Sequence, residues 1–576
     1  MKKSILALSA FLLAGTVAAG ERRLSLADYR DHMKGAWIGQ IAGVCFGAPT
    51  EFKWNAGIIP LEALPKWRPE MINEAFGQDD LYVEMTFLRT LEEYGLDVSP
   101  RQAGLDFANS EYMLWCANQR GRSNLRRGLA PPACSHPRHN RCSNDIDYQI
   151  EADYAGIIAP GCPQEVIRLG DLFGRLMNFG DGVWAGQFIG AMYAEAFFTT
   201  DVDALLDAGL AAIPAESDYA QMVRNVRAWR KEFPDDWTKT WQKAYDTYMK
   251  GRNPELKDSN GAIDVRLNGA AVVLGLVYGG GDLDRTIEIS TRCGWDSDCN
   301  PSSAAGVLGC AKGFSGLNAK YVSAIDNTKK FSYTAYDMPG LYAVCEKLAR
   351  AIVIRSGGRI EKDAAGAETM AIPSARPVPD AWIPSWKAPP CGEERFTESE
   401  MAKQRFALKL PVAADVDDPD PTVRVQKTLD ALFPGWKTSE NAPDMHPGLL
   451  ETVDTTDGQL VGCLVTHPPR RGEAVTLSRR LKVPAGDPKL HFAVANSQGG
   501  DFRLVVRIDG AAILSTRIFH PDPKVWRKNF HVFDMSLEPW VGKEVTIELA
   551  NEPDGWMCEA AIWHDIRITA NSGLKD

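Results

Sequence analysis

The chain has 576 residues, 45% of them hydrophobic and 24% charged, the profile of a globular protein with two or three cores. Lys and Arg number 64 against 75 Asp and Glu, a formal net charge of −11, and such a surface repels a phosphate backbone, which argues against nucleic acid as the main partner. Ordinary glycine and proline content (50 and 35) excludes a collagen-like or wholly disordered chain.

In chain order, Met1-Lys2-Lys3, the apolar run from Ile5 to Leu13 and the small residues Val17-Ala18-Ala19 predict a signal peptide over 1–19. The protein is therefore expected to be exported, to the periplasm or the extracellular space. That run is too short to span a bilayer and no other segment approaches about 18 apolar residues, so no membrane insertion is expected. Export permits disulfides among the 12 cysteines.

From 20 to 355 the hydrophobic period is mostly helical, which predicts an all-α domain. Ser25 with Asp28 three residues on makes a capping start. Gly35, Gly39, Gly43 and Gly47 then fall on one side of a helix, and a row of helix-weakening residues argues for close approach of another backbone. Asp31, His32, Lys34 and Gln40 set aside a membrane-dimer motif. Further helices are expected at Leu81–Tyr94, Gln187–Phe198, Val202–Ala212, Tyr219–Phe233, Thr238–Met249, Val265–Tyr278 and Pro301–Lys312.

Cys134, His136, His139 and Cys142 crowd into nine positions without a standard finger spacing. The simplest reading is a Cys134–Cys142 disulfide across a surface loop; unpaired thiols and a zinc site remain open. Cys45, Cys310 and Cys345 read as buried thiols.

The segment 356–439 reads as a linker and connecting segment. Between Arg355 and Cys391, Gly357-Gly358, Pro373, Pro377, Pro379, Pro384 and Pro389-Pro390 mark an irregular path packed by Trp382 and Trp386. From 440 to 576 the period becomes two. Phe502, Leu504, Val506 and Ile508 alternate along one run and Asp509-Gly510 supplies a hairpin turn. Similar runs at Val475–Val483, Lys489–Ala495, Val545–Leu549 and Ala560–Thr569 predict a jelly-roll-like β-sandwich. Its tryptophans, Trp526, Trp540, Trp556 and Trp563, serve either as core fillers or as a glycan-binding face.

Two acidic clusters stand out. Asp79-Asp80 open the helix at Leu81, and Asp296-Ser297-Asp298 precede the helix at Pro301. Aspartates cap helices routinely, but adjacent and alternate carboxylates are also how hard cations are held. On the residues alone both readings stand.

The stretch Gly39-Gln40-Ile41-Ala42-Gly43-Val44-Cys45-Phe46-Gly47-Ala48-Pro49-Thr50-Glu51 resembles the opening motif of the ADP-ribosylglycohydrolase superfamily, which includes the dinitrogenase-reductase-activating glycohydrolases. Gln78-Asp79-Asp80-Leu81 resembles that family's first metal motif, normally Thr-Asp-Asp-Thr. Cys293 to Asn300 resembles the second, normally Gly-Asp-x-Asp-Thr. The three occur in family order. The resemblance implies an all-α domain that hydrolyses a glycosidic bond at a ribofuranosyl carbon with a two-metal centre, usually Mg²⁺, with Ca²⁺ or Mn²⁺ as further options.

It also implies site residues: Asp79, Asp80, Asp296 and Asp298 as metal ligands, with Glu51 and Asp80 catalytic. Gln78, Leu81 and Cys299 depart from the family by replacing threonines. Gly180-Asp181-Gly182-Val183-Trp184 stands where the family has a Gly-Asn-Gly segment facing ribose and phosphates, and Asp147 and Asp153 are further pocket candidates.

A carboxylate at 181 would repel a pyrophosphate and Trp184 would offer a flat apolar face. The expected function is therefore an exported, metal-dependent glycoside hydrolase that prefers a neutral ribosyl or arabinosyl furanoside. A true ADP-ribosyl hydrolase and a non-catalytic glycan-binding protein are the alternatives. The expected partner is a small molecule or glycan, and no oligomeric state is specified.

Overall fold

The computed structural model describes residues 20–250, 263–384, 387–392, 394–408, 418, 420–442, 447–455, 458–497, 500–520, 528–553, 555 and 558–570. The expected signal peptide at 1–19 and Trp386, Trp526 and Trp556 lie outside them. The chain divides into two compact units, Met1–Leu125 with Ala130–Glu394, and Arg126–Leu129 with Arg395–Asp576. Among the described residues no helix is long and apolar enough to cross a membrane.

The first unit is helical. Its opening helix, Leu26–Gly47, is capped by the Ser25 hydroxyl, which accepts the Asp28 N–H. The glycine row predicted along it is used as a groove for the helix Cys299–Lys312. A Cβ at Gly39 would strike the carbonyl of Ala305, one at Gly43 that of Pro301, and one at Gly47 that of Ser297. Backbone-to-backbone packing of this kind brings the start of the second helix, with its acidic loop, to the end of the first.

A third helix, Asp79–Tyr94, is tied through Glu84 to the first of these and to the short helix Asp153–Ile157. That carboxylate accepts from Gln40 Nε2 at 2.6 Å and from the Tyr154 N–H at 2.8 Å. The other predicted helices are found at Asp181–Ala196, Val202–Ala211, Asp218–Glu232, Trp237–Ala244 and Val265–Gly279.

The segment 356–439 is more ordered than a linker. Strands β1 (Glu21–Ser25), β2 (Arg359–Lys362) and β3 (Glu368–Pro373) form an antiparallel sheet in the order β1-β3-β2, with Arg22 opposite Ile372. Met370, Ala371 and Ile372 are fully buried there. Further along, the helix Pro421–Leu432 contributes Val425 and Leu429 to the core of the second unit. The cysteine expectation is also corrected: Cys134 and Cys142 are not joined in a disulfide. Cys134 is satisfied by donating to the Leu176 carbonyl at 3.4 Å, so it has no need of Cys142.

The second unit is the expected sandwich. Its strands are β4 (Lys437–Thr438), β5 (Gly448–Thr455), β6 (Gly458–Thr466), β7 (Val475–Lys482), β8 (Lys489–Asn496), β9 (Phe502–Ile508), β10 (Ala511–Ile518), β11 (His531–Ser536), β12 (Glu544–Glu552) and β13 (Ala561–Thr569). Two five-stranded antiparallel sheets result, β10-β9-β12-β7-β4 and β11-β8-β13-β6-β5. Asp509 and Gly510 both have positive φ (49° and 81°), as a two-residue hairpin turn requires. The alternating faces of both sheets meet in one core that holds Phe492, Leu504, Ile547 and Trp563. Trp563 is fully buried with its indole N–H on Thr466 Oγ1 at 2.9 Å, and Trp540 packs half-buried against the same core. These two tryptophans fill the sandwich rather than face a glycan.

Candidate metal centre

Two backbone devices bring the acidic clusters together. Asp79 and Asp80 occupy the first turn of their helix, and Asp298 is the N-cap of Cys299–Lys312. The loop before Asp298 is tightly folded, with Gly294 and Trp295 at φ 81° and 55°. It zips onto the residues after Glu51. The Phe52 N–H donates to the Trp295 carbonyl at 2.9 Å, and the Trp295 N–H donates to the Trp54 carbonyl at 3.0 Å. A Cβ at Gly294 would strike Trp54, so only glycine permits this approach. Thr50 and Ser297 share a hydrogen bond of 2.8 Å beneath.

The result is two groups of donors that share one residue. Asp80, Asp298 and Cys299 each place a ligand atom within 4.8 Å of the others, and so do Glu51, Asp296 and Asp298. Asp80, Asp296 and Asp298 are at most 3% exposed. The Cys299 thiol lies 3.4 Å from Asp80 Oδ2 and 3.7 Å from Asp298 Oδ1.

Burial pushes every carboxyl here above its usual range. Asp296 rises to about 7, and Glu51 to about 8 from burial first and then from Asp298 and Asp79. Asp80 and Asp298 are raised well above normal by burial and by one another's charge or that of Asp296. No arginine or lysine is among the causes at Glu51 or Asp79.

One oxygen each of Asp80 and Asp296 is buried without a hydrogen-bond partner. Crowded carboxylates with unused buried oxygens are what a divalent cation offsets, so these residues fit a metal. Asp298 belongs to both donor groups.

The remaining predicted site residues divide. Asp79 is in neither donor group; the Trp115 side chain hydrogen-bonds it at the rim. Asp147 is buried nearby, accepts the Asn118 N–H at 2.9 Å and is raised by burial to about 7. Asp153 lies with Glu84 and Tyr193, and its charge is among those that raise Asp80.

Gly180, Asp181, Gly182 and Trp184 form a packing junction. Asp181 accepts the Tyr219 N–H at 2.9 Å and faces Arg266, a Cβ at Gly182 would strike Ser143, and Trp184 is 2% exposed. None of the four belongs to either donor group. Asp181 is 1% exposed, and its carboxylate is engaged by the Tyr219 N–H and the charge of Arg266.

The residue that sequence reading missed is Glu151. It accepts from Asn118 Nδ2 at 2.7 Å, and Asp147, Asp79 and Asp80 are among the charges that raise it. Its signal was available, because it sits between Asp147 and Asp153 in one short acidic stretch.

Around the centre stand exposed aromatic and apolar side chains: Phe52, Met113, Trp115 and Tyr333. Tyr82 connects them, with its hydroxyl on the Met113 carbonyl at 3.1 Å and its ring 5.3 Å from that of Tyr333.

A helical unit that folds two acidic loops onto one buried centre is a hydrolase-type scaffold. Residues 25–358 match the ADP-ribosylglycohydrolase family model, more than half of the chain, and the chain belongs to that family. Among solved structures, a chain of an ADP-ribosylglycohydrolase-related protein complex is similar at 15% identity and a TM-score of 0.40, covering 57% of this chain and 100% of its own. Two others each cover 24% of this chain at a TM-score of 0.18. One is TmCBM61 in complex with β-1,4-galactotriose (11% identity, 90% of that chain). The other is the K1 cleaved adhesin domain of Lys-gingipain from Porphyromonas gingivalis W83 (16% identity, 91% of that chain). No curated protein matches the sequence.

Proposed function

We propose that the first unit is a metal-dependent glycoside hydrolase acting on a furanosyl bond. The observation that carries this reading is the pair of donor groups sharing Asp298. Asp80, Asp296 and Asp298 would hold one or two divalent cations, Mg²⁺ first with Ca²⁺ or Mn²⁺ as alternatives, with Glu51 and Cys299 at the edges. When bound, such an ion supplies a fixed positive charge that polarises an oxygen and acidifies water. Glu51, the most exposed of the carboxylates, would accept a proton from the water that attacks the anomeric carbon or give one to the departing oxygen. The Trp115 side chain holds Asp79, and the rim of Phe52, Trp115 and Tyr333 offers flat apolar faces to a sugar ring.

A rim of carboxylates and aromatics supports a neutral ribosyl or arabinosyl glycoside. Family membership supports the second reading, removal of ADP-ribose. Export and an accessory role for the sandwich belong to the same proposal. The test compares kcat/KM on nitrophenyl furanosides and on ADP-ribosyl-arginine, with saturating Mg²⁺ and with chelator. Asp80→Asn and Asp298→Asn are expected to lose metal and activity together. Unchanged metal content in both variants, by elemental analysis, would remove the centre; a clear preference for the ADP-ribosyl compound would select the second reading.

A further inference from the structure

The expected partner of Cys134 has another neighbourhood. Cys142, Cys116 and Asp145 each place a ligand atom within 4.8 Å of the other two. Asp145 is fully buried, Cys142 is 2% exposed, and Cys116 is the member that reaches toward solvent. Neither thiol is part of a disulfide, and Cys116 and Cys142 hydrogen-bond one another. We propose that these three side chains form a second metal site, separate from the aspartate centre, that takes Zn²⁺.

The donor chemistry selects the ion. Two thiolates and one carboxylate suit zinc, whereas Mg²⁺ and Ca²⁺ want an all-oxygen shell. A disulfide would use the two sulfurs alone, whereas a cation uses all three converging donors. Each donor becomes anionic on binding, and three anions at this spacing are stable only around a cation. The hydrogen bond with Cys142, then burial and the charges of Asp147 and Asp145, hold the Cys116 thiol far above its ordinary range.

The backbone is arranged to hold the donors in place. Cys116 has φ 34°, a left-handed conformation that a side-chain-bearing residue keeps only where its surroundings fix it. Asn140 spans the two arms: its Nδ2 donates to the carbonyls of Ala117 and Met177 at 2.9 and 2.8 Å, and its Oδ1 accepts the Cys142 N–H at 3.0 Å. Asn178 donates to the Asp145 carbonyl at 2.8 Å. Three protein donors leave a fourth position, which water reaches past Cys116. The site adjoins Trp115, the residue that holds Asp79, so a zinc ion here pins the segment that forms the rim of the other centre.

The full chain, stripped of metal, is titrated with Zn²⁺ alone and separately with Co²⁺ as a spectroscopic probe. Cys116→Ser and Cys142→Ser are expected to lose one equivalent of zinc and the sulfur-to-cobalt charge-transfer band. Cys299→Ser, which alters the aspartate centre, is expected to keep the equivalent of zinc and the part of the cobalt band that Cys116 and Cys142 supply. In the unmodified protein, Zn²⁺ is expected to protect Cys116 and Cys142 from alkylation, read by peptide mass, which remains informative where a variant fails to fold. Equal alkylation with and without zinc overturns the proposal. So does a Cys116–Cys142 disulfide, seen as the loss of two hydrogens with no zinc bound.

Discussion

Cys299 is where this chain's chemistry departs furthest from a threonine-bearing metal motif. Its sulfur is within hydrogen-bonding distance of both Asp80 and Asp298, so a metal there meets a soft donor among hard ones. Cys299→Thr is expected to fold, because the two side chains are close in size, and to lower affinity for Zn²⁺ relative to Mg²⁺ by about tenfold, or ~1.4 kcal/mol. Competition titration measures that ratio; an unchanged ratio would show that the sulfur is not a ligand. At this scale Asp80, Asp296 and Asp298 were legible as metal candidates through the family resemblance, since on the residues alone aspartates near helix starts serve equally as caps. Asp181 and Trp184 were not legible. Sequence places them in a loop before a helix, but the free Tyr219 N–H and the carbonyl of Ser143 decide which way that loop turns.

Among elements, the glycine row was readable because its period matches the helix, and its purpose follows from contact with one other backbone. Gly43→Ala is expected to destabilise the first unit by roughly 3 kcal/mol, since the added methyl meets the rigid Pro301 carbonyl and no flexible side chain can yield. Urea unfolding measures this, and a loss below about 1 kcal/mol would mean that the helices slide apart freely. The helix Cys116–Arg126 escaped the apolar periodicity because its buried face is polar: Asn118, Arg122, Ser123, Asn124 and Arg126 are all buried. Arg122 reaches the carbonyl of Tyr112 at 2.7 Å, and Asn124 that of Cys134 at 2.7 Å. Strands β2 and β3 were hidden by the prolines and glycines around them.

Glu84 joins three helical elements through its two acceptor contacts, and its pKa is raised well above normal by burial and then by Asp153. For a raised carboxyl, the stabilising contribution is complete below the unfolded value of about 4.3 and is lost as pH rises through the folded value. Wild type should therefore lose stability relative to Glu84→Gln as pH climbs, so the variant's deficit at pH 5 narrows toward pH 9. Parallel stability curves would show that Glu84 is already ionised in the folded protein across that range.

At the scale of the whole molecule, the chain contributes four residues to the second unit long before it finishes the first. Arg126–Leu129 group with the residues after Arg395. Leu129 bridges Arg395, the Gly128 carbonyl accepts the Phe396 N–H at 2.8 Å, and the Arg126 carbonyl accepts the Leu408 N–H at 2.7 Å. Arg127 pairs with Glu451 at 2.6 Å with both side chains largely buried. A fragment ending at Glu394 keeps these four residues and loses every one of those partners. Each backbone bond lost contributes about 1 kcal/mol, and Leu129 and Arg126 exchange a buried setting for water. The two ends of 126–129 are covalently part of the helical unit, at the helix Cys116–Arg126 and at Ala130, so their disorder is transmitted to it. The fragment 1–394 is thus expected to fold with its helices in place but to unfold at lower urea than the helical transition of the full chain, by the equivalent of about 2–4 kcal/mol. Far-ultraviolet circular dichroism follows the helices in both. Equal midpoints would show that the four residues pass through the sandwich as a tether without energetic consequence, and the two units could then be studied apart.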